Sequence, residues 1–184
     1  MKRKYISLAA MALLLSACGT DGSRSFQTDY FRIDIDAKGY IVGMWNQTKE
    51  SRNFSPADQP SPLLALYDED IKRYYYPQKA HYGGGRYRLE YENGSVATVS
   101  LDEKDKYFKL KLENLEPRNG IDGIQWGNYY TNITNILGEM IGVARDTTEA
   151  VNYAIGALAL DDNTIGGESR YTSETGPSGY IVHT

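Results

Sequence analysis

The 184-residue chain has little cysteine, histidine or tryptophan: one Cys, two His and two Trp. A single cysteine excludes an internal disulfide framework and a zinc site with several cysteine ligands. Two histidines leave little room for a histidine-rich metal centre. Basic residues are also outnumbered, with 20 Lys+Arg against 24 Asp+Glu. The net charge of −4 argues against a general nucleic-acid binder, which needs a basic surface to displace counterions.

Apolar and aromatic residues, by contrast, are plentiful. Hydrophobic residues make up 41% of the chain and aromatic residues 12%, including 16 tyrosines, which is too much for a disordered protein. The length suits one globular domain or part of a larger one. We expect no cofactor and no metal ion.

The N-terminus has the features of a bacterial export signal. Residues 2–4 are Lys-Arg-Lys, and an apolar run follows at 6–15, about ten residues and too short to span a bilayer of ~30 Å. The next residues, Leu-Ser-Ala-Cys at 15–18, resemble the lipobox of bacterial lipoproteins. The resemblance implies that residues 1–17 are a signal peptide and that Cys18 becomes the lipidated first residue of the mature chain.

Removal of the signal peptide makes the chain more acidic. Without the three basic residues of the signal, 17 Lys+Arg remain against 24 Asp+Glu, a net charge of −7. An acidic domain is repelled by anionic lipid head groups, so acyl chains rather than the protein surface would hold it to the membrane. We expect a flexible tether over 18–25, a domain over 26–184, and a lipid anchor in the bacterial outer membrane, on either its periplasmic or its outer side.

Apolar and polar residues alternate through most of the remaining chain, which predicts half-buried strands. Residues 31–35 and 40–45 flank a glycine turn at Gly39 and predict a hairpin. Residues 87–112 predict a three-stranded antiparallel meander whose first turn is Asn93-Gly94, a strong hairpin signal.

The last third of the chain is less regular. Residues 131–141 have apolar residues at helical spacing, although Gly138 weakens a helix, and predict a short helix or an irregular crossing segment. Two further strands are predicted at 141–144 and 153–160. The predicted fold is therefore an all-β antiparallel β-sandwich, with at most one short helix after the signal peptide.

Four segments of the sequence also resemble a known protein family. Residues 31–41, 61–67, 107–115 and 124–127, in this order and spacing, resemble the N-terminal galactose-mutarotase-like β-sandwich of bacterial glycoside hydrolase and polysaccharide lyase lipoproteins. The resemblance covers roughly residues 26–170. It implies a supersandwich-like fold, incomplete at this length, and a setting in polysaccharide breakdown.

In such enzymes the catalytic groups usually sit on a following domain. The chain stops at Thr184, before any such domain, and we expect it to be a fragment without its catalytic partner. The histidine and glutamate used by true aldose mutarotases do not carry over, because His183 is next to the end and His81 is placed in a loop at 79–85 that ends in a mobile triple glycine. We expect no catalytic residue in this chain.

A glycosidase-like pair of carboxylates is the alternative chemistry. Such pairs lie about 5–5.5 Å apart in retaining enzymes and ~6.5–9.5 Å apart in inverting ones, and a sequence does not give separations. The Asp161-Asp162-Asn163 segment could also suit Ca²⁺. The possible carboxylates are Asp122, Glu139, Asp146, Glu149, Asp161 and Asp162.

Aromatic residues are the stronger lead to function. The apolar faces of sugar rings stack on Tyr and Trp, while sugar hydroxyls hydrogen-bond to nearby polar groups. One group lies in a predicted loop at 126–132, and another at 74–76, where alternation places Tyr75 on the opposite face from its neighbours. Core packing is the alternative role for these residues. The predicted carbohydrate contacts are Trp126, Tyr129, Tyr130, Tyr74 and Tyr76.

Three hypotheses follow from the sequence. The first is a non-catalytic, carbohydrate-associated module of a polysaccharide-degrading envelope lipoprotein. The second is a self-contained sugar-active enzyme, either mutarotase-like or a glycosidase. The third is a structural or partner-binding envelope lipoprotein. Convergence of two carboxylates, or of His81 and a carboxylate, in one concave pocket would favour the second hypothesis. Exposure of the aromatic residues together on one face would favour the first.

Overall fold

The computed structural model describes residues 22–47, 51–118, 120–133, 136–137, 142–146, 153–164, 169–171 and 180–183. The predicted signal peptide and Cys18 lie outside these residues. The predicted tether over 18–25 is too long, because the first strand begins at Arg24. The Ser25 hydroxyl donates a hydrogen bond to Asp34 Oδ1 at 2.6 Å. Pairing with the neighbouring strand thus orders the last two residues of a segment whose composition is small and polar.

The described residues form sixteen strands and no helix, and every pairing between these strands is antiparallel. This confirms the predicted all-β, sandwich-like fold. No helix able to cross a bilayer occurs in this part of the chain. The strands are β1 Arg24–Gln27, β2 Phe31–Ile35, β3 Tyr40–Asn46, β4 Ser61–Pro62, β5 Leu64–Asp68, β6 Arg73–Tyr75, β7 Pro77–Gly83, β8 Arg86–Tyr91, β9 Val96–Glu103, β10 Phe108–Glu116, β11 Gly123–Thr131, β12 Ile136–Leu137, β13 Gly142–Asp146, β14 Tyr153–Ala157, β15 Ser169–Tyr171 and β16 Tyr180–His183.

The strands form four sheets. Sheet I has the order β1-β2-β3-β4, and sheet II has the order β10-β9-β8-β7. Sheet III has the order β15-β16-β11-β5-β6, and the small sheet IV has the order β12-β13-β14. The strands predicted at 141–144 and 153–160 correspond to β13 and β14.

The stretch at 131–141 shows no helix in its described residues. Thr131 is the last residue of β11, and β12 pairs with β13. The prediction of a helix rests on the helical spacing of apolar residues and on Thr131 or Asn132 as a possible N-terminal cap. Five of the eleven residues are β-branched, and β-branched side chains lose rotamer freedom in a helix and fit a strand well.

Sheet II contains the predicted meander and one strand more. Inward residues of β8 and β9, such as Leu89 and Val99, are fully buried. At the turn, Gly94 has φ 82° and the Asn93 side-chain oxygen accepts a hydrogen bond from Ser95 N, which explains why Asn-Gly marks this hairpin. The extra strand is β7, which corrects the prediction of a loop at 79–85.

The triple glycine that was predicted to be a mobile connection belongs to this same hairpin. Gly83 ends β7 and pairs with Arg86 of β8. Gly84 and Gly85 form the turn, with φ values of 58° and 78° that favour glycine. A tight turn therefore brings β7 back against β8.

Sheets I, II and III share one apolar core. Phe26 of β1 packs edge-on against Tyr87 of β8, with ring centroids 5.9 Å apart. Phe54, between β3 and β4, and Leu64 of β5 are also buried in this core. Burying a side chain of this size stabilises the fold by roughly 1.5–3 kcal/mol. The Tyr91 hydroxyl of sheet II donates to the Leu64 carbonyl of sheet III at 3.1 Å, so the two sheets are also joined by a buried hydrogen bond.

Candidate functional site

Three tyrosines, Tyr67, Tyr74 and Tyr76, form a row along the edge of sheet III, and we call them the tyrosine row. Tyr67 of β5 and Tyr74 of β6 are cross-strand partners with ring centroids 4.6 Å apart. Tyr76 follows β6, and its ring centroid lies 6.4 Å from that of Tyr74 with the two planes 20° apart. Tyr74 is 40% exposed and Tyr76 38% exposed. Solvent therefore meets more than one aromatic ring at this place.

Strand alternation explains why the row faces outward. Leu64 and Leu66 of β5 lie in the core, so Tyr67 points to the other side of the strand. Tyr75 packs against the core, which leaves its two neighbours on the outer face. The predicted alternation of residues 74–76 is confirmed. Ala65 is fully buried yet does not belong to the core cluster, as expected for a small residue on the same face as the row.

Two further tyrosines approach the row from other strands. Burial raises the pKa of the Tyr76 hydroxyl, and the nearby phenols of Tyr130 and Tyr74 raise it further. Burial also raises the pKa of Tyr40, and Tyr76 is the next largest cause. Tyr76 thus interacts electrostatically with phenol groups from β3, β6 and β11, which adds polar hydroxyls to the neighbourhood of the row.

The other end of the row carries charged groups. Burial raises the pKa of Tyr67, and its hydrogen bond to Glu69 raises it further. Lys72 forms an ion pair with the same carboxylate and is the largest cause of the lowered pKa of Glu69. Glu69 and Lys72 are both well exposed, so their polar atoms are available to a ligand lying on the row.

Trp126 and Tyr129 lie in β11 rather than in the predicted loop, and both pack against the core. The Tyr129 hydroxyl donates to the Leu63 carbonyl at 3.4 Å, and burial raises its pKa. The strand is irregular between Gly127, which has φ 82°, and Tyr129, and this irregularity lets residues of opposite parity face the same way. Core packing is therefore the role that the structure favours for these two residues.

Of the five predicted contact residues, the structure brings Tyr74, Tyr76 and Tyr130 together. Sequence reasoning missed Tyr67 and Tyr40. Tyr67 lies in segment 61–67, which supports the family resemblance without regard to the face of any residue. Its parity relative to Leu64 and Leu66 was the available signal, but its pairing with Tyr74 depends on a hairpin register that the sequence does not specify.

The hypothesis of acid–base catalysis requires a histidine close to a carboxylate, and His81 lies close to Glu90. His81 lies in β7, not in a loop, and its Nε2 is 3.6 Å from Glu90 Oε1. Arg88 is also paired with Glu90, so the carboxylate already has a cationic partner. Two surface depressions, of about 360 and 390 Å³, are lined by other residues. The His81–Glu90 pair thus lies outside both concave surfaces.

Among the carboxylates proposed for glycosidase chemistry, Asp122, Asp161 and Asp162 lie in connections between strands, and Asp146 is the last residue of β13. Asp122 Oδ2 accepts a hydrogen bond from Glu69 N at 2.9 Å, and Asp161 Oδ1 accepts one from Asn163 N at 3.0 Å. Glu139 and Glu149 lie outside the described residues. Within the ranges that the structure describes, no group of three or more His, Cys, Asp and Glu side chains could hold a metal ion.

Comparison with known protein families, curated proteins and solved structures finds no match to this chain. The likeness to galactose-mutarotase-like domains therefore remains a resemblance of sequence segments. The function has to rest on the tyrosine row, taken together with the N-terminal sequence.

Proposed function

We propose that the chain is a non-catalytic carbohydrate-binding module of a polysaccharide-degrading bacterial envelope lipoprotein, and that the tyrosine row is its contact surface for the glycan. The observation that carries this proposal is the exposure of Tyr74 and Tyr76 side by side on one face. Outward-facing positions of a strand do not need aromatic residues for folding, because polar residues fit there equally well. Adjacent exposed aromatic rings form an apolar surface patch, and such patches often mark a binding site.

The chemistry of the row suits a sugar polymer. Aromatic faces stack on the apolar faces of pyranose rings, and the surrounding phenols and charged groups can hydrogen-bond to sugar hydroxyls. Three rings in sequence, with centroid separations of 4.6 and 6.4 Å, offer contacts to more than one sugar residue. Glu69 and Lys72 at one end and Tyr130 at the other supply the polar contacts.

The cellular setting in this proposal comes from the sequence. Lipidation at Cys18 would anchor the module to the outer membrane through its acyl chains. The net charge of −7 after signal removal would keep the domain away from anionic lipid, leaving the row open to solvent. The likeness to the N-terminal sandwich of polysaccharide-degrading enzymes supports a parent protein in which a separate domain carries out catalysis.

Affinity gel electrophoresis of the purified chain tests the proposal. In gels containing xylan, galactan or mannan, at least one polysaccharide should retard the chain relative to a gel without polysaccharide. The double variant Tyr74→Ala/Tyr76→Ala should bind about tenfold more weakly, since each aromatic contact contributes roughly 0.5–1.5 kcal/mol beyond its buried area.

The matched control is Tyr30→Ala/Tyr107→Ala, which removes two tyrosines that are 62% and 56% exposed and lie outside the row. This variant should be retarded as strongly as the unchanged chain. Absence of retardation on every polysaccharide, or equal losses in the two double variants, would contradict glycan binding at the row. Release of reducing sugar by the chain would instead favour the enzyme hypothesis.

A further inference from the structure

A second surface feature lies on the outer face of sheet II, where β8, β9 and β10 form a depression of about 360 Å³. The strand registers place Arg86, Ser100 and Lys111 in one row across the three strands. Lys109 lies two residues from Lys111 on the same face and is paired with Asp102 in register. Three basic side chains therefore surround a hydroxyl on the floor of the depression.

Two of these cations have no ion-pair partner within the described part of the chain. Arg86 and Lys109 form no ion pair and no side-chain hydrogen bond with another described residue, whereas Lys111 pairs with Glu113 at 3.0 Å. Asp102, the other acid of the depression, lies 3.5 Å from Lys104, which is not part of the lining. The depression thus has an excess of positive charge in a chain whose acidic residues outnumber the basic ones.

Glu113 shows how this environment treats a carboxylate. Its pKa is lowered, first by the hydrogen bond from Lys111, then by the one from Ser100, with Arg86 adding to the effect through its charge. The depression is also open at the β7–β8 hairpin, because a Cβ added at Gly84 or Gly85 would meet no atom within 4 Å. An anionic group can therefore be stabilised here while the rest of a longer molecule passes over the glycine turn.

We propose that this depression binds the carboxylate or sulfate groups of an acidic polysaccharide, with Arg86 and Lys109 as their charge partners. A guanidinium group presents paired N–H donors that match an oxyanion, and hydrogen bonds between charged groups are stronger than neutral ones. A polymer fits better than a membrane, because the net charge of the whole chain repels an extended anionic surface. This site lies on another sheet and does not require the tyrosine row.

Isothermal titration calorimetry of the purified chain provides the test. The probes are polygalacturonate for carboxylate, dextran sulfate for sulfate, dextran as the neutral polymer, and phosphatidylglycerol vesicles. We expect binding to at least one acidic polymer and none to dextran. The variant Arg86→Gln/Lys109→Gln should bind that polymer about tenfold or more weakly, because it removes two charged donors and hydrogen bonds between charged groups are stronger than neutral ones.

The matched control is Arg118→Gln/Lys79→Gln, which removes one Arg and one Lys that are exposed, unpaired in the described part of the chain and outside the depression. It should bind the acidic polymer within about twofold of the unchanged chain. If both variants bound the acidic polymer equally weakly, the binding would be general charge attraction and the proposal would be overturned. Failure of the unchanged chain to bind either acidic polymer would also overturn it. Tighter binding to vesicles than to either polymer would contradict the polysaccharide as ligand and indicate that the depression binds a lipid surface. Tyr74→Ala/Tyr76→Ala should bind the acidic polymer normally, which separates the two sites.

Discussion

Tyrosines occupy two contrasting regions of this protein, the core beneath sheet II and the outer face of sheet III. Tyr87 and Tyr91 of β8 are 0% and 5% exposed, whereas Tyr74 and Tyr76 are open to solvent on one side. The residue type is the same, and the face of the strand decides its role. Inward tyrosines supply buried ring area, and outward ones leave aromatic surface available to a ligand.

The buried tyrosines also differ from one another. Burial raises the pKa of both hydroxyls, because the phenolate is poorly solvated in the core. The Tyr91 hydroxyl donates to the Leu64 carbonyl, while the Tyr87 hydroxyl has no hydrogen-bond partner among the described residues. A buried hydroxyl without a partner costs stability, so Tyr87 stabilises the fold through its ring alone.

The largest effect should come from removing a buried ring. We expect Tyr91→Ala to lower the free energy of unfolding by about 3–5 kcal/mol, because it leaves a cavity and removes the hydrogen bond that joins sheets II and III. Urea denaturation followed by circular dichroism measures this change. Tyr107→Ala, at an exposed position, serves as the control. Similar losses in the two variants would erase the contrast between inward and outward tyrosines.

Local signals made the inward face of sheet II predictable. Leu89 and Val99 alternate with polar neighbours, and the Asn93-Gly94 turn lies between their strands, so pattern and turn chemistry agree. The same alternation placed Tyr75 opposite Tyr74 and Tyr76. In each case the information needed lies within a few residues along the chain.

Other features depend on contacts that a local pattern does not contain. In β7, Gln78 and Lys79 stand together and both are exposed, so the segment lacks a clear alternation and becomes a strand by pairing with β8. In β11, the irregularity after Gly127 turns Tyr129 to the core along with Trp126, although simple alternation would separate them. The contact between Tyr67 and Tyr74 depends on the register of the β5–β6 hairpin, which local alternation does not specify.

A smaller effect should separate the two buried hydroxyls. We expect Tyr91→Phe to lower the free energy of unfolding by roughly 0.5–1.5 kcal/mol, the net contribution of a typical hydrogen bond. Tyr87→Phe should be neutral or stabilising, since it removes a hydroxyl that has no partner among the described residues. Urea midpoints at constant m-value report both changes. A larger loss for Tyr87→Phe than for Tyr91→Phe would show that the Tyr87 hydroxyl is bonded in solution.

The smallest change in stability should occur in the tyrosine row itself. Tyr74→Ala removes the cross-strand ring contact with Tyr67, and such pairs contribute about 0.2–1 kcal/mol. Tyr74→Phe keeps the ring and should leave both stability and glycan retardation nearly unchanged. Thermal melts of the two variants, run beside the affinity gels, separate packing from binding. If Tyr74→Ala cost as much stability as Tyr91→Ala, the row would be a structural element. A small loss of stability together with a large loss of retardation is the outcome that a binding surface requires, because the ring would then be retained for its ligand rather than for the fold.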